Sequence, residues 1–445
     1  MSTGILALAG FVMVAVIVYG LVQSKITPIP VFVIVSVLTA LAVGTPPTEL
    51  FAHVHKGVTT TMPIAVLFIF SIVYFCIMND VGMFDPLVNL LVKMAKTNVV
   101  LVTIATAVIA ILGHLDGALA STLLITIPAM LPVYKRLNMR PLTLLVIIGA
   151  AMSIMNLLPW GGPVARTAAI TKVDINVLWN SMIPLQVMIT GVVIAFAAFM
   201  GIVEKKRGAG LPAGEDFTIA EEKLDPKVAA LKRPKLVWFN ILLTLGIIAL
   251  LCFTKVPLYA AFMFGLSIAL VVNFPNAKDQ AARFKAHAGE ALPMASILLG
   301  AGVFLGVLTG TKMIDAMATT LIGIIPNALG PYLHVIMGLT AVPVGCVLGT
   351  DSYFFGLVPL AVQAGAKFGI DPVNMAKIML IGKNYGVLVT PHAATTYLAI
   401  GLAGVELKEH LKYCTFWLTI LSFITLIVAA LMGVVSFAPG VVPGS

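Results

Sequence analysis

The sequence predicts an all-α polytopic membrane protein made of two repeats, each holding a re-entrant hairpin and a broken helix. Three observations carry that reading. Hydrophobic residues make up 60% of the chain, only 10% are charged and mean hydropathy is +1.08, whereas a soluble domain is about a quarter charged. Apolar windows near the roughly 20 residues that a spanning helix needs recur along the whole chain. Its punctuation also repeats: Asp85 and Asp315, Asp116 and Asp351, Pro141 and Pro372, and Pro159 and Pro391 are each about 230 residues apart, the mark of an internal duplication.

In the first half, apolar windows fall near 4–22, 28–46, 62–79 and 97–113. The first lacks a basic leader, and no small-residue cleavage site follows at Val22-Gln23-Ser24-Lys25, so it is expected to stay as a helix. The stretch 116–134, bounded by Asp116 and Lys135, is short for a crossing and is expected to be a re-entrant hairpin covered by protein or water. A window at 141–170 is expected to break at Asn156-Leu157-Leu158-Pro159-Trp160-Gly161-Gly162-Pro163, and 181–203 closes the half. The second half repeats the plan with windows near 236–254, 257–274, 291–310 and 326–348, a hairpin at 351–367, a helix at 372–402 broken at Thr390-Pro391-His392, and a last window at 412–436.

Between the halves, Lys205, Lys206, Arg207, Lys223, Lys227, Lys232, Arg233 and Lys235 are interleaved with acids, Pro and Gly and show no apolar period. This stretch reads as a flexible cytoplasmic linker at 204–235, dividing a first membrane repeat (1–203) from a second (236–445). Six crossings before the linker put the N terminus inside as well. That count leaves the repeats parallel, against the opposed repeats usual in duplicated transporters. Either one window, 4–22 or 236–254, does not cross as drawn, or the parity rule is broken; the sequence leaves both open.

Cys76, Cys252, Cys346 and Cys414 stand singly in apolar segments, which points to packing and away from disulfides or a zinc motif. The net charge of +9 fits cytoplasmic loops of a membrane protein, with lipid and no nucleic acid as partner. No HExxH or Gly-x-Ser-x-Gly signature is present, so an enzyme is not expected.

Polar residues at membrane depth are costly and are kept mainly for function. Arg166, a turn beyond the first break, offers a planar fork suited to a carboxylate; the plainer reading is an ion pair with Asp116. Where helices resume, after Gly161-Gly162-Pro163 and after Pro391, unpaired amide hydrogens attract anions, with Asn156, Thr167, Thr390, Thr395 and Thr396 as further polar contacts. Asp116 and Asp351 can load a proton or hold a cation, or simply cap the next helix. Lys383, beside Asn384, can balance substrate charge, replace a metal ion, or bridge to Asp351. His114, Ser121, Thr122, Ser352 and His392 complete the candidates. His53, His55, His287, His334 and His410 read as loop or interface residues.

Gly113-His114-Leu115-Asp116-Gly117, the run Leu124 to Pro132 with Lys135-Arg136-Leu137, and above all Met155 to Pro163 with Arg166 resemble the citrate-metal:proton symporters of the ion transporter superfamily. The resemblance runs through nearly the whole chain and is looser from Thr390 to Leu398. It implies an elevator-type carrier of the bacterial inner membrane, a homodimer, importing citrate or a related di- or tricarboxylate with protons, as a divalent-metal complex in many members. Members often read Asp-Gly-Asp-Gly where this chain has Asp116-Gly117-Ala118-Leu119. Hard cations such as magnesium and calcium want several oxygen ligands, so the missing acid, together with Lys383, leaves free citrate open as the substrate. No resident cofactor is expected, and any divalent cation would travel with citrate. Two other readings are a cation/proton antiporter, which explains the paired acids but reduces Arg166 and Lys383 to counter-charges, and a membrane-embedded hydrolase.

Overall fold

The computed structural model describes residues 2–22, 26–95, 98–210, 226–254, 256–391 and 393–441, and these contain helices and turns but no strand. The first half runs α1 (Thr3–Val22), α2 (Pro28–Ala42), α3 (Pro47–Asp80), α4 (Asp85–Ala95), α5 (Val99–Gly113), α6 (Leu119–Arg136), α7 (Pro141–Met155), α8 (Gly162–Thr171), α9 (Ile175–Asn180) and α10 (Ile183–Lys206). A single turn, α11 (Pro226–Ala229), precedes α12 (Val237–Phe253), α13 (Leu258–Asn273), α14 (Ala277–Gly310), α15 (Met313–Ile322), α16 (Leu333–Leu339) and α17 (Ala341–Asp351). A π-helical stretch at Ser352–Leu357 then leads to α18 (Val358–Lys367), α19 (Pro372–Asn384), α20 (Ala394–Ala403) and α21 (Leu407–Leu431). Among the described residues, seven helical stretches are long and apolar enough to cross a membrane by length and composition, one of which, Ala341–Lys367, is interrupted by a turn at Gly349, and six shorter apolar helices accompany them.

The duplication is written into the backbone. Left-handed positions recur in register: Gly82 with Lys312, Gly117 with Gly349, Asn138 with Gly369, and Lys172 with Gly404, all between 230 and 232 residues apart. Each pair ends a helix or turns a hairpin at the same place in its half.

The axis of the fold is the crossing of α3 and α14, both 34 residues long. At 1.5 Å per residue each reaches about 50 Å, well past a hydrocarbon core of roughly 30 Å. Their N-terminal thirds carry Glu49, His53, His55 and Lys56, and Lys278, Asp279, Arg283, Lys285 and His287, which is why apolar windows show only their later parts. Pro63 and Pro293 lie inside them, as neighbouring helices in a membrane allow. A methyl group at Gly57 would strike the Gly302 carbonyl, and one at Gly306 the His53 carbonyl, so the two backbones touch directly.

Around this crossing α1, α2, α12, α13 and α15 form one group. A second group joins α5, α6, α7, α10, α19, α20 and α21. The buried core includes Phe32, Phe68, Phe75, Trp160, Phe262 and Phe304, with Tyr74, Tyr134, Tyr353 and Tyr385 set among them.

The hairpins differ from the stretches marked in the sequence. Residues 119–136 form one continuous helix despite Pro128 and Pro132, and the hairpin arises because α6 folds back along α5. Thr106 Oγ1 meets Tyr134 OH at 3.1 Å at the base, while Gly113 faces Thr122 at the tip. Window 97–113 is therefore the first arm of the hairpin and not an independent crossing. Likewise 326–348 is one arm of the second hairpin: Gly330 packs on Phe368 at its base, and the chain turns at Gly349 (φ 74°, ψ 174°). Each stretch is short because it is one arm that folds back on the helix before it, and the turns between the arms use glycine.

Glu204, at the sequence-defined start of the linker, is fully buried near the end of α10, where it pairs with Arg140 at 2.6 Å and Arg207 at 3.0 Å. Residues 211–225 of the linker, including Lys223, and the side chain of Lys227 lie outside the described residues.

Candidate substrate site at the helix breaks

The first break runs from the C-cap Asn156 of α7 to the N-cap Gly161 of α8. The hairpin tip docks on it: Trp160 Nε1 donates to the Leu115 carbonyl at 2.6 Å, and Gly117 faces the Trp160 carbonyl. Buried His114 bridges Thr122 Oγ1 at 2.6 Å and Asn156 Oδ1 at 3.2 Å. Trp160 stacks on Phe75 at 5.5 Å and meets Phe262 edge-on at 5.0 Å. The break lies midway along the apolar path of α7 and α8, so a hairpin whose tip reaches it is re-entrant.

Asp116 serves the tip itself. Its Oδ1 accepts from the Ala118 amide at 2.8 Å and its other oxygen accepts from the Ser121 hydroxyl, satisfying the exposed start of α6. It makes no ion pair with Arg166. That partner is instead Asp351, from the other repeat, whose Oδ1 accepts from Arg166 Nη2 at 2.6 Å and Nε at 3.0 Å. The guanidinium lies over Gly162, where a methyl group would collide with it, and 5.8 Å from the Phe355 ring.

In the second break Thr390 Oγ1 donates to the Gly386 carbonyl at 2.9 Å, and Thr396 Oγ1 closes the gap onto the Thr390 carbonyl at 2.8 Å. Thr167 is similarly spent on the Pro163 carbonyl within α8. Buried Lys383 reaches Thr350 Oγ1 at 3.4 Å and forms no ion pair with Asp351. Its neighbour Asn384 is 1% exposed with both side-chain polar atoms unpartnered, and Ser352 Oγ is buried and unpartnered too. Such orphans are rare in a packed interior. His392 lies outside the described residues.

A cavity of about 440 Å³ opens here, lined by Thr350, Asp351, Ser352, Thr390 and Thr395 of the second repeat and by Leu21, Ile26, Thr27, Pro28 and Leu119 of the first. A second cavity, about 500 Å³, lies farther along α3 and α14 with a basic lining of His53, Lys56, Lys172 and Lys312, balanced by Asp315. The smaller one touches the hairpin tip and the break, and so is the candidate binding site.

Several residues escaped the sequence reading. His410, expected at a loop or interface, is buried on α21 and meets the Leu388 carbonyl of the second break at 2.9 Å. His334 is buried as well. His287 contacts Asp80 at 2.7 Å, and Glu290 contacts Cys76 at 3.5 Å, next to the first break. No motif marks His287 and Glu290, because their partners are 207 and 214 residues away in sequence. The side chain of Cys252 lies outside the described residues.

A family described as "CitMHS: Citrate transporter" matches residues 3–382. The chain belongs to the citrate transporter family. Two relatives from Bacillus subtilis (strain 168) align over 97% of this chain and their own full lengths: "Citrate transporter", 38% identical, and "Mg(2+)/citrate complex secondary transporter", 36% identical. Among solved structures, the Alcanivorax borkumensis YdaH transporter shares the fold at TM-score 0.60 and 15% identity, covering 88% of this chain and 90% of its own. Neisseria gonorrhoeae MtrF does so at 0.64 and 16%, covering 96% and 99%. A citrate transporter family member is a multi-pass protein of the bacterial inner membrane and a carrier, not an enzyme.

Proposed function

We propose that this citrate transporter family member imports citrate, or a closely related tricarboxylate, as a divalent-metal complex together with protons. The observation that carries the proposal is the ion pair between Arg166 and Asp351, which joins the two repeats beside a cavity lined by hydroxyl groups. In this arrangement Asp351 holds the fork that a substrate carboxylate would take. Protonation of Asp351 removes the competing charge, and the carboxylate then replaces it on Arg166. Unpartnered Asn384 and Ser352 supply further contacts, as do Thr390, Thr395 and the amides that open α20.

The 36% identical relative named for a magnesium–citrate complex favours the complexed form. With Asp351 protonated, as binding to Arg166 requires, the charged Arg166 and Lys383 make the site doubly positive, and a magnesium–citrate monoanion leaves one positive charge over. Free trivalent citrate would instead leave one negative charge uncompensated in a poorly solvated cavity.

Movement follows the same division. With each hairpin entering and leaving on one side, each half crosses five times, so the repeats are inverted as in other duplicated transporters, and the N terminus lies across the membrane from the linker. The hairpins and broken helices form the mobile unit and the α3–α14 group the scaffold of an elevator, working as a homodimer. The basic cavity is the electropositive approach for an anion.

The test is labelled citrate uptake into proteoliposomes under an inward proton gradient, at fixed free citrate, with and without magnesium or calcium. The expected result is accumulation that requires both metal and gradient. Accumulation suppressed by metal would make free citrate the substrate, and none under any condition would sink the citrate assignment.

A further inference from the structure

We propose that Cys76, His287 and Glu290 form a binding site for a zinc-class divalent cation, separate from the cavity that takes the substrate. One ligand atom from each lies within 4.8 Å of the others. Cys76 sits on α3, while His287 and Glu290 stand three residues apart on one face of α14. Cys76 Sγ is already 3.5 Å from Glu290 Oε2. Tetrahedral zinc, with bonds of about 2.0 to 2.3 Å, keeps its ligand atoms roughly 3.5 Å apart, so side-chain adjustment alone closes the set.

Two features of the surroundings suit an ion. Asp80, one turn after Cys76, accepts from His287 Nε2 at 2.7 Å and is itself steadied by Arg283 at 3.4 Å. A carboxylate behind an imidazole is the usual support for a metal-bound histidine, because it fixes the ring and its tautomer. The helices supplying the ligands are also locked by the contact of Gly57 with Gly302, so the donors are held in place before any ion arrives. Glu290 is exposed whereas Cys76 is 5% exposed, leaving an approach from one side and a fourth coordination position open. Thiolate, imidazole and one carboxylate together select zinc, cadmium or cobalt over magnesium and calcium. A magnesium or calcium ion is therefore not the one expected here.

The experiment uses tag-free, chelator-treated full-length protein in detergent and citrate-free buffer. Wild-type protein should bind one equivalent of zinc in equilibrium dialysis despite a hundredfold excess of magnesium, and cadmium should give the ultraviolet thiolate-to-metal absorption. Cys76→Ser should abolish that absorption and weaken zinc binding at least tenfold, and Asp80→Asn should weaken it about tenfold. Glu290→Gln, at an exposed position, repeats the test without risk to folding and should also weaken binding. Absence of the cadmium absorption in the wild type overturns the proposal, as does zinc binding that none of the variants alters.

Discussion

Arg166 in the first repeat holds Asp351 in the second through two hydrogen bonds to a single carboxylate oxygen, Oδ1, at 2.6 and 3.0 Å. The arginine side chain is 5% exposed and the aspartate 23%. The pair thus lies at the edge of the cavity, with Asp351 the wetter partner, and a proton can reach Asp351 while the guanidinium stays enclosed.

Replacing Arg166 with Ala removes the fork and leaves Asp351 unpaired in a poorly solvated position. Truncating one partner of a buried charge pair costs about 2 to 5 kcal/mol, so initial citrate uptake should fall about 100-fold or more in proteoliposomes. Arg166→Lys keeps the charge but loses the planar geometry and should recover only a small part of the rate. Full activity in the lysine variant would show that charge alone is needed and that the fork is incidental.

Asp351→Asn mimics the protonated carboxyl permanently. Uptake driven by an inward proton gradient should become insensitive to external pH, whereas exchange of labelled for unlabelled citrate, which needs no net proton movement, should continue. Normal gradient dependence in the variant would move the coupling proton elsewhere, with Asp116 the next candidate.

The class, the duplication and both breaks were legible because composition and Gly/Pro punctuation act locally. So was the position of Arg166, a buried guanidinium next to a break inside an apolar segment. Its partner was not legible: Asp116 is near in sequence, but it caps its own hairpin through Ala118 and Ser121, and the free acid came from 185 residues away. The hairpins were mislocated for a related reason. The stretch 116–134 is short enough to look like a whole hairpin, yet α6 is one continuous arm of it, and only the packing of Gly113 against Thr122 shows where the chain turns. The long α3 and α14 hid their polar ends, and with them Asp80, His287 and Glu290, because a hydropathy window stops where charge begins.

Trp160 ties the first break to the hairpin tip. Trp160→Phe keeps most of the stacking on Phe75 and Phe262 but leaves the Leu115 carbonyl without its donor. The expected loss is about 1 to 3 kcal/mol, seen as a lower unfolding temperature, with uptake reduced because the tip no longer sits firmly on the break. An unchanged melting curve would mean that water or another donor replaces the indole.

The second tip depends on one glycine. Gly349 adopts φ 74° with ψ 174°, a combination open in practice only to glycine, and it lines the cavity between Leu348 and Thr350. Its counterpart Gly117 has φ 71°, so both tips use the same device. An alanine at 349 forces the backbone away from this conformation at a cost of about 1 to 3 kcal/mol. The displacement carries Thr350 and Asp351 with it, because they follow directly. Gly349→Ala should therefore lower citrate uptake about tenfold or more even where the protein remains folded and in the membrane, since a shift of about 1 Å at a positioning residue can cost on the order of 100-fold. Gly246 is the control: it lies within α12 at an ordinary helical position with open space where a methyl would go, and Gly246→Ala should be neutral or slightly stabilising. Equal uptake by the two variants would show that the second tip tolerates rearrangement and that Asp351 is not held by its turn.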